Sequence, residues 1–478
     1  MSAPPAPSLY AAREPIFPKA VSGRFRRLKW AILVATLAVY YITPWLRWDR
    51  GPYLPDQAVL IDLAARRFYF FMIEIWPHEF YYVAGLLIMA GIGLFLFTSV
   101  LGRVWCGYAC PQTVWVDLFM HVERFIEGDR NKQIRLQHQS WTPEKIRKRT
   151  AKWTIWLAIS MATGGAWIFY FADAPSLAWQ FITGAAPSVA YATVAILTAT
   201  TFILGGFLRE QVCLYMCPWP RIQAAMLDEN SLTVTYKDWR GEPRGKHKKQ
   251  PTPQTQTQTQ GDCIDCNACV NVCPTGVDIR KGQQLGCITC ALCIDACDDI
   301  MARLGRPRGL IDYCSLADEH LERSGQPALS AWRRILRPRV FLYTGLWAGI
   351  GLAMVVTLFL RDTIGLTVRH DRNPLFVTLS DGSIRNGYEI RLLNQEGMPQ
   401  DFRLSHRLEG AGHLRLDIQG SEGRTVEVAA NTQQLLRVFL TSEPWIEMDG
   451  QVPVRLWVEN LTTRERAHYD TVFYGGSE

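Results

Sequence analysis

Eight cysteines stand between positions 263 and 297 as two successive C-x2-C-x2-C-x3-C runs: Cys263, Cys266, Cys269 and Cys273, then Cys287, Cys290, Cys293 and Cys297. Three thiolates two residues apart on a tight loop reach three irons of one 4Fe-4S cube, and the fourth, leaving in a new direction, ligates the other cube. The expected crossover gives Cys263, Cys266, Cys269 and Cys297 to one cluster and Cys287, Cys290, Cys293 and Cys273 to the other. C-x2-C pairs also hold zinc, but zinc sites use pairs split by a longer spacer and leave the third and fourth cysteines of each run without a task. Pro274 follows the first run, whereas Asp298 and Asp299 follow the second. Their negative charge beside a cluster lowers its reduction potential.

A second constellation is duplicated. Cys106-Gly-Tyr-Ala-Cys110-Pro111 and Cys213-Leu-Tyr-Met-Cys217-Pro218 share the pattern Cys-x-Tyr-x-Cys-Pro, preceded by Arg103 and Arg209. A spacing of four puts both sulfurs of a copy on one helix face, and the proline is expected to end or bend the helix just beyond. Four soft donors at matching depth can converge on a thiophilic ion such as Cu(I), with Met120, His121 and Met216 as auxiliaries. They can equally cycle between dithiol and disulfide, or be buried thiols packed as small hydrophobes. Cys314, alone after the clusters, reads as an inert thiol.

The elements that position these cysteines are membrane helices. Apolar blocks at 30–46, 80–101, 153–171, 189–208 and 340–360 contain no charged residue, and each is near the length of a bilayer core. Five spans are expected. A basic tail with Arg13, Lys19, Arg24, Arg26, Arg27 and Lys29 precedes the first, so it reads as an anchor rather than a cleaved signal. Lysine and arginine crowd the connection 102–152 and are absent from 172–188, which places the tail, the 102–152 connection and the cysteine runs in the cytoplasm and everything after 361 outside. In the first outer connection the aromatic stretch 68–76 is expected along the interface. A reducing cytoplasm suits thiolates as metal ligands.

Net charge is +7, from 51 basic and 44 acidic residues. That excess is a topology signal and needs no nucleic-acid partner. The run Lys246, His247, Lys248, Lys249 flanks a Pro/Gln/Thr stretch, 250–260, that reads as a flexible tether for a mobile electron carrier. After 370, segments at 376–379, 388–393, 414–418, 425–428, 434–440 and 454–458 alternate apolar with polar residues, and Asp381-Gly382 and Asn386-Gly387 read as turns. A cysteine-free antiparallel sandwich of immunoglobulin type follows, better suited to docking than to catalysis. There is no C-x-x-C-H for covalent haem, no histidine inside any apolar block and no Rossmann glycine pattern. Electrons therefore come from another protein or a quinol.

The expected organisation is a tail (1–29), four spans with the Cys-x3-Cys-Pro motifs (30–240), a linker (241–262), a ferredoxin-like two-cluster domain (263–314), a fifth span (340–361) and an outer immunoglobulin-like domain (370–478). In that order, Trp105-Cys-Gly-Tyr-Ala-Cys-Pro-Gln-Thr, the second Cys-Leu-Tyr-Met-Cys-Pro, the cluster runs and Asp381-Gly-Ser-Ile-Arg-Asn-Gly-Tyr resemble the FixG/CcoG/RdxA family of cytochrome c oxidase accessory proteins. The resemblance implies a bacterial inner-membrane protein with two 4Fe-4S clusters and a periplasmic immunoglobulin-like domain. It implies reduction of Cu(II) to Cu(I) during assembly of cbb-type cytochrome c oxidase, with copper-delivery proteins as partners. The family's cluster ligands fall on the eight cysteines of the two runs, and its membrane-proximal thiols fall on Cys106, Cys110, Cys213 and Cys217. The Cys-x3-Cys-Pro pairs with clusters also resemble quinol dehydrogenases of the NapH and NosR kind, and the cysteine-free sandwich tips the choice. A cupric reductase, a quinol-linked electron-transfer subunit and a non-catalytic assembly scaffold are the functions these features allow.

Overall fold

The computed structural model describes residues 15–245, 260–361, 364–408, 413–421, 423–444 and 450–475. The chain divides into two compact units, one made of Arg47–Asp56 and Val355–Glu478 and the other of the remainder. Of the expected linker, 246–259 lies outside the described residues, as does the tail up to residue 14.

Among the described residues four helices are long and apolar enough to cross a membrane: Arg24–Trp45, Pro77–Leu101, Ser188–Leu208 and Pro338–Phe359. The block at 153–171 differs. It forms the second part of α6 (Pro143–Ile168), whose first third is basic and whose end at Ile168 leaves the apolar stretch short. The apolar part nevertheless runs beside the first span, α1 (Arg24–Ile42), where Tyr40 Oη donates to Thr163 O at 2.7 Å. The basic residues at its start are not a solvated loop, because Lys152 pairs with Glu123 at 3.0 Å and Glu127 at 2.9 Å, both on α4 (Pro111–Glu127). Charges counted from the sequence as a topology signal thus also serve helix packing.

The stretch 68–76 is not an amphipathic segment lying alone. Val59–Asp62, Arg67–Phe70 and Ile73–Ile75 form an antiparallel sheet, β1-β2-β3, in which Tyr69 is buried. The break between β2 and β3 falls at Phe71, which has φ 50°.

The cysteine-rich module starts earlier than expected. Its strand β4 (Thr233–Tyr236) lies before the linker and pairs with β5 (Ile311–Cys314) after the clusters. The two ends of the linker are bonded together: Gly245 N–H donates to Cys263 O at 3.0 Å and Gly261 N–H to Pro243 O at 3.1 Å. The residues that flank the low-complexity stretch thus belong to one body. Cys314 is 3 % exposed on β5, and its thiol donates to Ser315 O.

The second unit is a sandwich of two antiparallel sheets. One has the order β10 (Leu414–Ile418), β12 (Gln433–Ser442), β8 (Ile384–Asn394), β6 (Ile364–His370), with β7 (Val377–Thr378) also on β8. The other is β11 (Thr425–Val428), β9 (Gln400–Leu408), β13 (Gln451–Asn460), β14 (Arg466–Tyr474). Tyr388, Ile390, Leu392, Val438 and Leu440 fill the space between them. Strands β6, β9 and β14 escape the sequence reading, and the fold begins at Ile364 rather than 370. Asp381-Gly382 is a turn, with Gly382 at φ 86°, but Asn386-Gly387 lies inside β8. Asn386 is fully buried and exchanges hydrogen bonds with the backbone of Tyr474, and a Cβ on Gly387 would meet Asp371.

Candidate electron-transfer site

The two cysteine runs wall two cavities. One is lined by Cys263, Cys266, Cys269 and Cys297 with Tyr236, Ile300 and Leu310. The other is lined by Cys273, Cys287, Cys290 and Cys293 with Ile279 and Leu292, and Cys269 reaches both. The fourth cysteine of each run has crossed to the cavity of the other. This arrangement needs left-handed backbone at the loops, where Asp265, Asn267, Thr289 and Ala291 all have positive φ, before short helices carry each fourth thiol away. Burial pushes Cys269 up to about 11 and Cys297 up to about 12; Cys290 reaches about 12 against the opposing pull of Lys29. Thiols in such apolar walls are neutral unless a metal compensates their charge. Donor set, cavity and backbone therefore fit a 4Fe-4S cube in each, with no further protein ligand required.

The paired motifs are built from two breaks in the helical unit. After α2 (Tyr81–Leu101), a short helix, α3 (Val104–Tyr108), carries Cys106, and Cys110 caps α4. As expected, the helix stops short of Pro111, α3 ending at Tyr108; Pro111 then also starts α4. Proline suits the first helical position because its missing N–H would be unpaired there, and it forces Cys110 into extended backbone, at ψ 129°. The second copy repeats this on π-helical turns, Phe202–Leu208 and Val212–Met216, and Cys217 has ψ 125°. In both copies the second cysteine N–H bonds the carbonyl five residues back: Cys110 to Trp105 at 2.9 Å and Cys217 to Val212 at 2.8 Å.

The equivalence shifts one residue from the expected pairing of Arg103 with Arg209. Four residues before the first cysteine stand Gly102 (φ 60°, ψ −131°) and Arg209 (φ 37°, ψ −108°), in the same unusual conformation. Glycine adopts it freely; Arg209 does so under strain, held by Nε donating to Gly206 O and Nη2 to Glu123 Oε2. Strain and π-helical turns concentrate at functional sites.

The four thiols share one neighbourhood. Burial raises Cys106 to about 11 and Cys213 to about 12, and Cys110 is also raised; each of these three feels at least one other thiol of the set, and Cys217 acts on all of them. Arg103 opposes the rise at Cys106. Among the described residues no three His, Cys, Asp or Glu side chains are gathered closely enough for a single ion. This holds for the cluster cysteines too, which are spread around the walls of their two cavities. Of the expected auxiliaries, Met120 is buried and lines a cavity with Cys213, whereas His121 packs edge-on to Trp30 at 5.0 Å and Met216 is exposed. Gln223 was not legible in the sequence: fully buried, it accepts from Cys106 Sγ at 2.9 Å and fixes that thiol.

Both motifs grip the loop of the second cluster run. Arg103 Nη1 donates to Leu285 O at 2.6 Å and Tyr108 Oη to Cys290 O at 3.1 Å. A Cβ on Gly107 would stand 2.6 Å from Ile288 O, so only glycine allows this approach. Leu214, the matching residue of the other copy, packs on Gly286 of the same loop.

A family model described as a 4Fe-4S dicluster domain matches residues 208–316, and one described as a 4Fe-4S binding domain matches 83–129. Together with the apolar helices, these define a membrane iron–sulfur electron-transfer protein. A third model, the IG-like fold at the C-terminal of FixG, matches 354–476. Protein RdxB of Cereibacter sphaeroides is 61 % identical over 98 % of this chain and 98 % of its own length, and Protein RdxA of the same organism is 62 % identical over 91 % and 90 %. Nitrogen fixation protein FixG of Rhizobium meliloti is 54 % identical over 97 % of this chain and 93 % of its own. The chain belongs to the FixG, RdxA and RdxB family.

Proposed function

We propose that this protein is a cupric reductase: it reduces Cu(II) to Cu(I) at Cys106, Cys110, Cys213 and Cys217 for assembly of cbb-type cytochrome c oxidase, working with copper-delivery proteins. Cys263, Cys266, Cys269 and Cys297 would hold one 4Fe-4S cluster and Cys287, Cys290, Cys293 and Cys273 the other. When bound, the clusters supply one-electron storage. What supports the reading is that the four thiols of the two repeats influence one another's ionisation and that Gly107 and Leu214, the residues after Cys106 and Cys213, touch the loop of the second run. Thiolate sulfur favours Cu(I) over Cu(II), so the donor set pulls the metal toward the reduced product. Thiols that share a neighbourhood without a preformed single-ion cage suit a metal that passes through. Gln223 orients the Cys106 thiol, and Arg103 tempers the cost of its ionisation. The membrane is the bacterial inner membrane, crossed five times with α6 as the third pass, with the clusters cytoplasmic and the sandwich periplasmic.

The test is copper turnover under a steady supply of dithionite, followed with a Cu(I)-specific chelator. Native protein is expected to turn over repeatedly. Cys106→Ser and Cys217→Ser should weaken copper binding with iron content intact, and Cys266→Ser should slow turnover with the copper thiols intact. Equal turnover by Cys266→Ser and native protein would break the path from clusters to copper.

A further inference from the structure

At the end of the helix Ser188–Leu208, beside the basic start of α6, lies a cavity of about 220 Å³ with no cysteine in its wall. A single water needs about 10–15 Å³, so a group of several heavy atoms fits. The wall is charged in both signs: Arg149, Lys152 and Arg209 line it, and so do Glu123 and Glu210. Glu123 accepts from Lys152 at 3.0 Å and from Arg209 at 2.8 Å. Glu127, outside the wall, pairs with Lys152 at 2.9 Å and Arg149 at 3.3 Å. Three cations thus share two carboxylates, and Glu210, 5 % exposed, carries the balancing charge.

The two guanidinium groups are not exhausted by these pairs. Arg209 donates from Nε to Gly206 O and from Nη2 to Glu123, which leaves Nη1 without an acceptor among the described residues. Arg149 donates from Nη2 to Gln137 and faces Glu127 with Nη1, which leaves Nε. Both side chains are only 12 % exposed, and donors so enclosed call for an acceptor in the cavity. Phosphate oxygens match a guanidinium fork. The rest of the wall is aromatic, with Trp153, Trp156 and Phe207. Trp156 is buried, but Trp153 and Phe207 are exposed, so the cavity wall continues onto the apolar surface of α6 and of the helix Ser188–Leu208. Tryptophan at the end of a membrane helix marks the depth of lipid head groups, and basic pockets between such helices on the cytoplasmic side bind them. An inorganic anion would leave the aromatic wall unused and meet Glu210. A lipid with net negative charge would enter a wall that is already balanced. A phosphodiester joined to a primary ammonium matches both signs, and its acyl chains match the aromatic surface.

We propose that this cavity seats the head group of a phosphatidylethanolamine-type phospholipid, its phosphate accepting from Arg209 and Arg149 and its ammonium donating to Glu210, with the acyl chains along Trp153 and Phe207. The proposal rests on the membrane reading above and on neither the clusters nor copper. Arg209 is also the residue with φ 37° four positions before Cys213. A bound head group therefore holds the strained turn from which the second motif starts.

The experiment uses the full chain in detergent, stripped of lipid and then supplied with dioleoyl phosphatidylethanolamine, phosphatidylglycerol or phosphatidylcholine, with bound lipid followed by native mass spectrometry. Native protein should hold the ethanolamine lipid about tenfold more tightly than the other two, the worth of one hydrogen bond between charged groups. Arg149→Met should weaken all three, and Glu210→Gln should remove the preference; iron content serves as the folding control for both. Because either variant can misfold, native protein carrying the ethanolamine lipid is also treated with dicyclohexylcarbodiimide, which condenses a buried carboxylate with an amine. The resulting amide should map to the tryptic peptide 210–221, in which Glu210 is the one acidic residue. No bound lipid, equal retention of the three lipids, an amide elsewhere, or displacement of the lipid by equimolar free phosphoethanolamine overturns the proposal. Copper turnover is scored separately: its failure with lipid binding intact sinks the copper reading and leaves the lipid site standing.

Discussion

Gly107→Ala isolates the contact through which the proposed electron transfer between the two centres would run. The new Cβ would stand 2.6 Å from Ile288 O and 3.0 Å from Cys290 Cα, and both atoms are backbone, so no side chain can swing away. Ordinary contact begins near 3.4 Å, and the loop has to retreat by about 0.8 Å. Overpacking of this kind costs about 1–3 kcal/mol. The retreat also stretches the 3.1 Å bond from Tyr108 to Cys290 O beyond hydrogen-bonding range, a further loss of about 1 kcal/mol. The control is Gly165→Ala, where nothing lies within 4 Å and the helix gains a better former. Thermal unfolding in detergent should show Gly107→Ala melting several degrees below native protein and Gly165→Ala at or above it. Iron content should be unchanged, and copper turnover should fall. A Gly107→Ala protein that melts and turns over like the native one would refute the claim that this approach is tight and that it couples the centres.

Other outcomes follow from the same geometry. Anaerobically purified protein should carry about eight irons and eight sulfides per chain, and zinc in their place would defeat the cluster assignment. A reporter fused after Asn271 should behave as cytoplasmic and one after Gly420 as periplasmic; finding both on one side would remove a span, with Pro338–Phe359 the first suspect. In copper-free protein, burial holds the Cys106 and Cys213 thiols near 11 and 12, so thiolate is scarce at neutral pH. Their alkylation, read by peptide mass spectrometry, should be slow at pH 8 and accelerate as pH climbs toward 11. Reaction at pH 8 as fast as an exposed thiol would mean the pocket is wet.

The chemistry of this chain was readable because it is local. Iron–sulfur ligation is written in spacing alone, and the two cavities collect the crossed sets of cysteines that the runs imply. Apolar blocks mark spans for the same reason, each being a property of one segment. Long-range pairing was not readable. Nothing near 233–236 announces that it pairs with 311–314 across the linker, and Asn386-Gly387 carries the composition of a turn while burial and the approach of Asp371 make it a strand. Local rules ended the helix before Pro111 but did not show that the same proline starts the next one, α4. Lys29 was counted as one basic residue in a tail; only its burial shows it facing a cavity.

The double grip on the loop 285–290 has a mechanical consequence. A part held at one point can pivot about it, whereas one held at two points keeps its orientation. Gly107 presses on the loop through bare backbone and Leu214 through a side chain seated on Gly286, so the repeats act as two jaws of unlike shape. Because the jaws differ, the loop seats in only one direction. The separation between thiols and cluster loop is thereby fixed at folding and need not be re-established at each turnover. Little nuclear rearrangement then accompanies each electron's passage, which is the condition under which transfer between fixed centres is fast.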